Sequence, residues 1–207
     1  MRRRHFISLL GGAAAWPFAA RAQQGQRVRR IGVLIPATAD IEVYQARVGA
    51  FVRELALLGW IDGRNVHIDT RWATTNAADI RRNAGELAAL APDAVLAYGA
   101  STVGALQQVT RTVPIVFPGV VDPVGAGFVD SLARPGGNAT GFLLFEYRLS
   151  GKWLELLKEI APTTTRVAVL RDLATPTGAA QFGVIQAAAP SLMTEVFPIN
   201  MRDPPRP

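Results

Sequence analysis

Arg30-Ile31-Gly32-Val33-Leu34-Ile35 decides the fold. It is a short, unbroken apolar run, the pattern of a strand buried on both faces. Pro36 ends it. Beyond it, Val48, Phe51, Val52 and Leu55 recur at helical spacing, with Arg47, Arg53 and Glu54 off the stripe and Gly59 placed to stop the helix. Val66, Ile68, Thr70 and Trp72 then alternate with His67, Asp69 and Arg71, as in a half-exposed strand. Ile80, Ala84, Leu87 and Ala88 form the next helical stripe, and Ala94-Val95-Leu96-Ala97 a second buried strand. A helix from about Thr102 to Thr110, a strand at Val113–Phe117 and a fifth at Ala139–Leu144 complete the series. Repeated β-α-β-α with apolar strands predicts a parallel sheet covered by helices on both faces. Residues 29–145 thus read as one complete, doubly wound N-terminal α/β lobe.

Residues 146–207 begin again. Leu149, Trp153, Leu156, Leu157 and Ile160 make an amphipathic helix over Ser150–Ile160, closed by Pro162. Arg166-Val167-Ala168-Val169-Leu170 has the character of the first strand, and a helix near Gly178–Ala188 and a strand near Met193–Ile199 follow. Two strands cannot cover their own sheet, so this reads as the start of a C-terminal α/β lobe, truncated or borrowing surface from elsewhere.

The first 22 residues stand outside the fold. Arg2, Arg3 and Arg4 precede an apolar run of 15 residues, Phe6–Ala20, and Ala20-Arg21-Ala22 is a small-x-small cleavage pattern. In that order they read as a secretory signal cut near Ala22, the run being shorter than the roughly 20 residues of a membrane span. Arg3-Arg4-His5-Phe6-Ile7 resembles the twin-arginine export motif, although a charge cluster would also serve general secretion. The expected location is the periplasm, with no stable membrane insertion after cleavage. The leader also carries most of the charge imbalance. The whole chain is +6, but residues 1–22 hold four arginines and no acids, so 18 basic and 16 acidic side chains remain, a net +2. That is no nucleic-acid footprint, which needs a clustered basic face. With no cysteine there is neither a disulfide nor a thiolate metal site, and the fold must stand on its core.

Catalytic chemistry has few candidates. His67 is the one histidine after the leader and lies on the polar face of a strand. HExxH, GxSxG, GxGxxG at a strand-to-helix turn and GxxxxGK[ST] are all missing, and the carboxylates are scattered. No catalytic residue, cofactor or metal is expected. Open α/β sheets instead take ligands beyond the carboxyl ends of their strands. Three segments reach that rim: Ala37-Thr38-Ala39-Asp40, Tyr98-Gly99-Ala100-Ser101-Thr102, and Gly119-Val120-Val121-Asp122-Pro123. Gly99 permits close backbone approach. Ser101 and Thr102 are candidates both for capping the following helix and for touching a ligand. Asp122-Pro123 signals a turn and a helix start, with Asp122 as cap, holder of a ligand amine, or both. Arg134-Pro135-Gly136-Gly137-Asn138 reads as a plain tight turn.

Several stretches together resemble a known family. They include Leu58-Gly59-Trp60-Ile61-Asp62-Gly63-Arg64-Asn65-Val66, Val121-Asp122-Pro123-Val124-Gly125-Ala126-Gly127, Ser131-Leu132-Ala133-Arg134-Pro135-Gly136-Gly137-Asn138-Ala139-Thr140-Gly141 and Leu149-Ser150-Gly151-Lys152. From about residue 29 to residue 203 the chain is similar to ABC-transporter substrate-binding proteins of the tryptophan-binding (TrpX-like) group, with a type I periplasmic-binding-protein fold. The resemblance implies two Rossmann-like lobes with a small, amino-acid-like solute between them, and delivery to an ABC permease in the membrane. It implies a hinge at Phe142, Phe145 and Tyr147. It implies ligand contacts from Thr38, Gly99 to Thr102 and Asp122-Pro123, beside the rim candidate Tyr98, and from Asp172 to Thr177 of the second lobe, Asp172 and Thr175 above all. Pro204-Pro205-Arg206-Pro207 departs from the family and reads as a frameshift or premature stop. Two other functions fit the same rim: a ligand-sensing module for a signalling partner, and an exported α/β enzyme.

Overall fold

A computed structural model describes residues 27–173 and 176–201. The leader residues Arg3, Arg4, Ala20 and Ala22, and Thr175, lie outside the described residues. Among the described residues seven strands and five helices follow in order: β1 (Arg29–Ile35), α1 (Glu42–Leu57), β2 (Val66–Trp72), α2 (Ala77–Ala89), β3 (Ala94–Ala97), α3 (Ala100–Val109), β4 (Ile115–Val120), β5 (Ala139–Leu143), α4 (Leu149–Ile160), β6 (Arg166–Arg171), α5 (Pro176–Ala188), a 3-10 turn at Ala189–Leu192, and β7 (Glu195–Asn200). The first five strands form one sheet in the order β2-β1-β3-β4-β5, and β6 and β7 form another. Every pairing is parallel.

The opening hexapeptide sits where its composition requires. β1 lies between β2 and β3, and Val33, Leu34 and Ile35 are buried. Leu34 faces a cluster built with α2 and α3 through Ile80, Ala84, Leu87, Val103 and Leu106. Val33 and Ile35 face α1 through Tyr44, Val48 and Phe51. Helices therefore cover both faces, as the strand pattern predicts. The cover is unequal, since α1 contributes no fully buried residue.

The polar side of β2 is less exposed than alternation alone implies. His67 is exposed, but Asp69 pairs with Arg30 and Arg71 with Glu86 of α2. The fourth strand begins two residues later than its apolar run and continues to Val120, so Gly119 and Val120 belong to the strand and not to the loop after it. Pro118 is tolerated because β4 pairs with β3 only through Ile115 and Val116, and the register with β5 shifts between Pro118 and Val120. Residues 121–138 then fold back on α3. Phe128 and Val129 enter the core, Gln107 donates to the Phe128 carbonyl at 2.9 Å, and Asn138 donates to the Val113 carbonyl at 2.8 Å.

The second sheet is half-covered. α4 and α5 pack Leu154, Ile185 and Ala189 onto Val167, Val169 and Val196. The opposite face leaves Leu170 at 70% exposure and Ile199 at 44%. β6 therefore alternates in burial, unlike the doubly buried β1 that its sequence resembles. Among the described residues β6 pairs only with β7, and a cavity of about 480 Å³ opens against Val169, Arg171, Phe182 and Trp153.

Candidate ligand-binding rim

Parallel strands in one sheet bring all their carboxyl ends to one edge, and the segments after β1, β3 and β4 meet there. Thr38, Ala39 and Asp40 are exposed. The Thr38 side chain, followed by the Asp40 backbone, stabilises the Asp40 carboxylate and lowers its pKa below the ordinary value.

After β3, the Tyr98 amide donates to the Leu34 carbonyl at 3.1 Å, which fixes the end of β3 to β1. Gly99 follows with φ +82°, a conformation other residues rarely adopt, and is itself the N-cap of α3. No side chain caps this helix, so the capping role expected of Ser101 and Thr102 is not realised. Thr102 is fully buried, and its hydroxyl lies 2.8 Å from the Tyr98 carbonyl and 2.9 Å from that of Gly99. It braces the rim from beneath, while Tyr98, Gly99, Ala100 and Ser101 are half-exposed on it.

Asp122-Pro123 starts a turn, not the predicted helix. Asp122 has φ +40°, and its two carboxylate oxygens accept from the Gly125 amide at 2.8 Å and the Tyr147 amide at 3.1 Å. A Cβ on Gly125 would lie 2.9 Å from that carboxylate, which explains a small residue there. Pro123 is buried and its carbonyl accepts from the Phe128 amide at 2.9 Å. Asp122 and Pro123 thus build the turn, and Asp122 also joins it to the segment leaving the sheet. Two further bonds secure that segment: Leu144 donates to the Val120 carbonyl and Asp122 donates to the Phe145 carbonyl, each at 2.9 Å. Phe145 meets Trp153 of α4 edge to face at 5.4 Å. Burial pushes the Tyr147 phenol above its ordinary pKa; the Thr177 side chain partly offsets this and the Asp122 charge adds to it. Phe142, the third residue expected at the hinge, is 75% exposed on the edge strand.

Two rim residues escaped the sequence. Tyr44 and Arg47 of α1 reach Tyr98: the tyrosine rings cross edge to face at 5.3 Å, and the Arg47 guanidinium lies 4.8 Å from the Tyr98 ring centroid and 5.2 Å from that of Tyr44. The available signal was Tyr44 four residues before Val48, which extends the apolar stripe toward the rim. In the second sheet, Asp172 is half-exposed and borders the cavity beside β6. The carbonyl of Asp172 would lie 2.1 Å from a Cβ on Gly178, so α5 starts close against the end of β6.

His67 sits 3.6 Å from Asp69 and 4.0 Å from Asp62 on the exposed side of β2, away from the rim. Among the described residues no group of histidine, cysteine and carboxylate side chains could hold a metal, and no helix is long and apolar enough to cross a membrane.

The five-stranded parallel sheet with a second parallel pair after it matches solved periplasmic-binding-protein structures, and the fold is of the type I class. The Vibrio cholerae O1 biovar El Tor structure described as a conserved domain protein matches with a TM-score of 0.72 at 25% identity, covering 84% of this chain and 57% of that one. The structure of an ABC domain in complex with L-Trp from Streptococcus pneumoniae matches with a TM-score of 0.70 at 23% identity and the same coverage. The family profile described as ABC transporter substrate binding protein matches residues 31–192, and the chain belongs to that family. A curated relative, the tyrosine-binding protein of Clostridioides difficile strain R20291, is 32% identical over 120 residues, which is 58% of this chain and 34% of that protein. The chain therefore spans about a third of the curated relative and just over half of the solved structures it resembles. The family is one of solute-binding proteins, not of enzymes.

Proposed function

We propose that this chain acts outside the cytoplasm as the solute-binding component of an ABC importer, taking a small amino-acid-like solute at the rim and passing it to a membrane permease. The convergence of the segments after β1, β3 and β4 on one edge of the sheet carries this reading. In support, relatives are named for tyrosine binding and for a complex with L-Trp. Export through the twin-arginine-like leader, with cleavage near Ala22, belongs to the same proposal. The binding residues are Thr38, Tyr98, Gly99, Ala100 and Ser101, with Asp122, Pro123 and Thr102 shaping the rim beneath them. Asp172 and Thr175 serve the second sheet. Residues 29–145 form one lobe and 146–207 begin the other, and Phe142, Phe145 and Tyr147 lie where the chain passes between them.

A closed cleft buries most of a ligand's surface. Among the described residues the companion sheet has two strands, which cover less of a ligand, so the expected binding is weak. Titration of ¹⁵N-labelled protein with millimolar L-tryptophan, L-tyrosine or L-leucine tests this. The expected result is saturable amide shifts at Tyr98, Gly99, Ala100 and Ser101. The absence of any shift, or shifts confined to residues far from the rim, overturns the proposal.

A further inference from the structure

The Tyr44–Arg47–Tyr98 cluster deepens this reading and rests on it. We propose that Arg47 binds the solute's carboxylate, with the two tyrosine rings holding its guanidinium in place. The first ground is pairing. Among the described residues Arg27, Arg29, Arg30, Arg53, Arg71, Arg82, Arg148 and Arg166 pair with a carboxylate, whereas Arg47, Arg64, Arg81, Arg111, Arg134 and Arg171 do not; of these six, Arg47 is the one that lies against Tyr98 at the end of β3. Arg47 has no such partner among the described residues; its contacts are the Tyr98 hydroxyl, to which Nη1 donates, and the two ring faces.

The second ground is geometry. A guanidinium carries five N–H donors in a rigid planar fork, and a ring face occupies none of the in-plane donors. With Nη1 on the Tyr98 hydroxyl, Arg47 keeps its remaining N–H donors for a planar, bidentate acceptor, which is the shape of a carboxylate. The Tyr98 phenol lies against Gly119 of β4, where a Cβ would come 3.4 Å from its oxygen. With the ring set between α1 and β4, the cation is oriented before ligand arrives, and less side-chain freedom is lost on binding. Location is the third ground, since Tyr98 closes β3 at the carboxyl edge of the sheet and Gly99 to Ser101 follow directly.

The test compares L-tryptophan with L-tryptophanamide, which lacks the carboxylate charge, by the same amide-shift titration on the full chain. Wild type should bind the acid at least about tenfold more tightly than the amide. Arg47→Gln should weaken the acid by about that factor and leave the amide unchanged, so that the two bind alike. Arg47→Lys keeps the charge but loses the fork and should lie between; it also serves if Arg47→Gln fails to give a folded spectrum. Equal binding of acid and amide by wild type, or undiminished binding of the acid by Arg47→Gln, overturns the role of Arg47 while leaving the rim as the solute site. Loss of all binding in wild type overturns the solute-binding reading, and this inference with it.

Discussion

β1 and β6 begin as near-copies in sequence and end in different environments. Each is a short apolar run led by arginine, and each pairs in parallel with the strand that follows one helix later. β1 also pairs with β3 and has helices on both faces, and its last four residues are buried. β6 keeps one pairing partner and one covered face among the described residues, and every second residue is exposed. An apolar run states that a strand can be buried; how much of it is buried depends on how many elements arrive to cover it. The first sheet should therefore unfold as a cooperative unit of ordinary stability, and the second should open at lower cost.

Two glycines give the largest expected effects. A Cβ at Gly141 would lie 2.0 Å from the Phe117 carbonyl oxygen, and one at Gly178 would lie 2.1 Å from that of Asp172. Backbone cannot yield as a side-chain tip can, so each alanine substitution should cost more than about 4 kcal/mol locally. Gly141→Ala should lower the main urea transition. Gly178→Ala should leave it in place and speed hydrogen exchange in β6 and β7 only. A shared shift of the main transition by both variants would break the comparison.

Leucine truncations probe the same contrast through packing. Leu106 is 0% exposed in the first sheet's core and Leu154 is 3% exposed beneath the second. Leu106→Ala should cost about 3–4 kcal/mol, and Leu154→Ala, at the rim of a half-covered layer that can collapse, about 2 kcal/mol. The midpoints of urea unfolding and amide protection in β7 separate the two.

The smallest effect concerns pH. Asp93 accepts from the Arg30 amide and from Arg29, and these hydrogen bonds hold its carboxyl below the ordinary value of 3.8. Its folded pKa is depressed, so the stabilisation is full above the unfolded pKa and is lost as pH falls through the folded one. Asp93→Asn should flatten the loss of stability below about pH 4. The change should appear in the first sheet's melting temperature, because the hydrogen bonds anchor the start of β1. An unchanged acid limb would show that Asp93 contributes nothing there.

Much of the fold was legible in the order of the chain. The apolar runs at residues 31–35 and 94–97 and the stripes at Val48 to Leu55 and Ile80 to Leu87 specify a parallel, helix-covered sheet because burial on two faces leaves no other composition. The proposed site was legible as an edge rather than as a set of contacts. Chain order placed Tyr98 to Ser101 on it, since a parallel sheet fixes which ends face which way. It could not foresee that Thr102 turns its hydroxyl inward, that Asp122 ties its turn to the Tyr147 amide, or that Arg47 reaches Tyr98 across 51 residues of chain. Those outcomes follow from which donor meets which acceptor in space.

By itself, the sequence determined the parallel α/β architecture, the absence of disulfide chemistry and the edge of the sheet on which the proposed site lies. Local periodicity and residue type are enough for these. Only the tertiary structure decided that β6 is covered on one face among the described residues and that a guanidinium lies beside two touching tyrosines at the rim. Both depend on contacts between elements distant in the chain, and no local pattern encodes them.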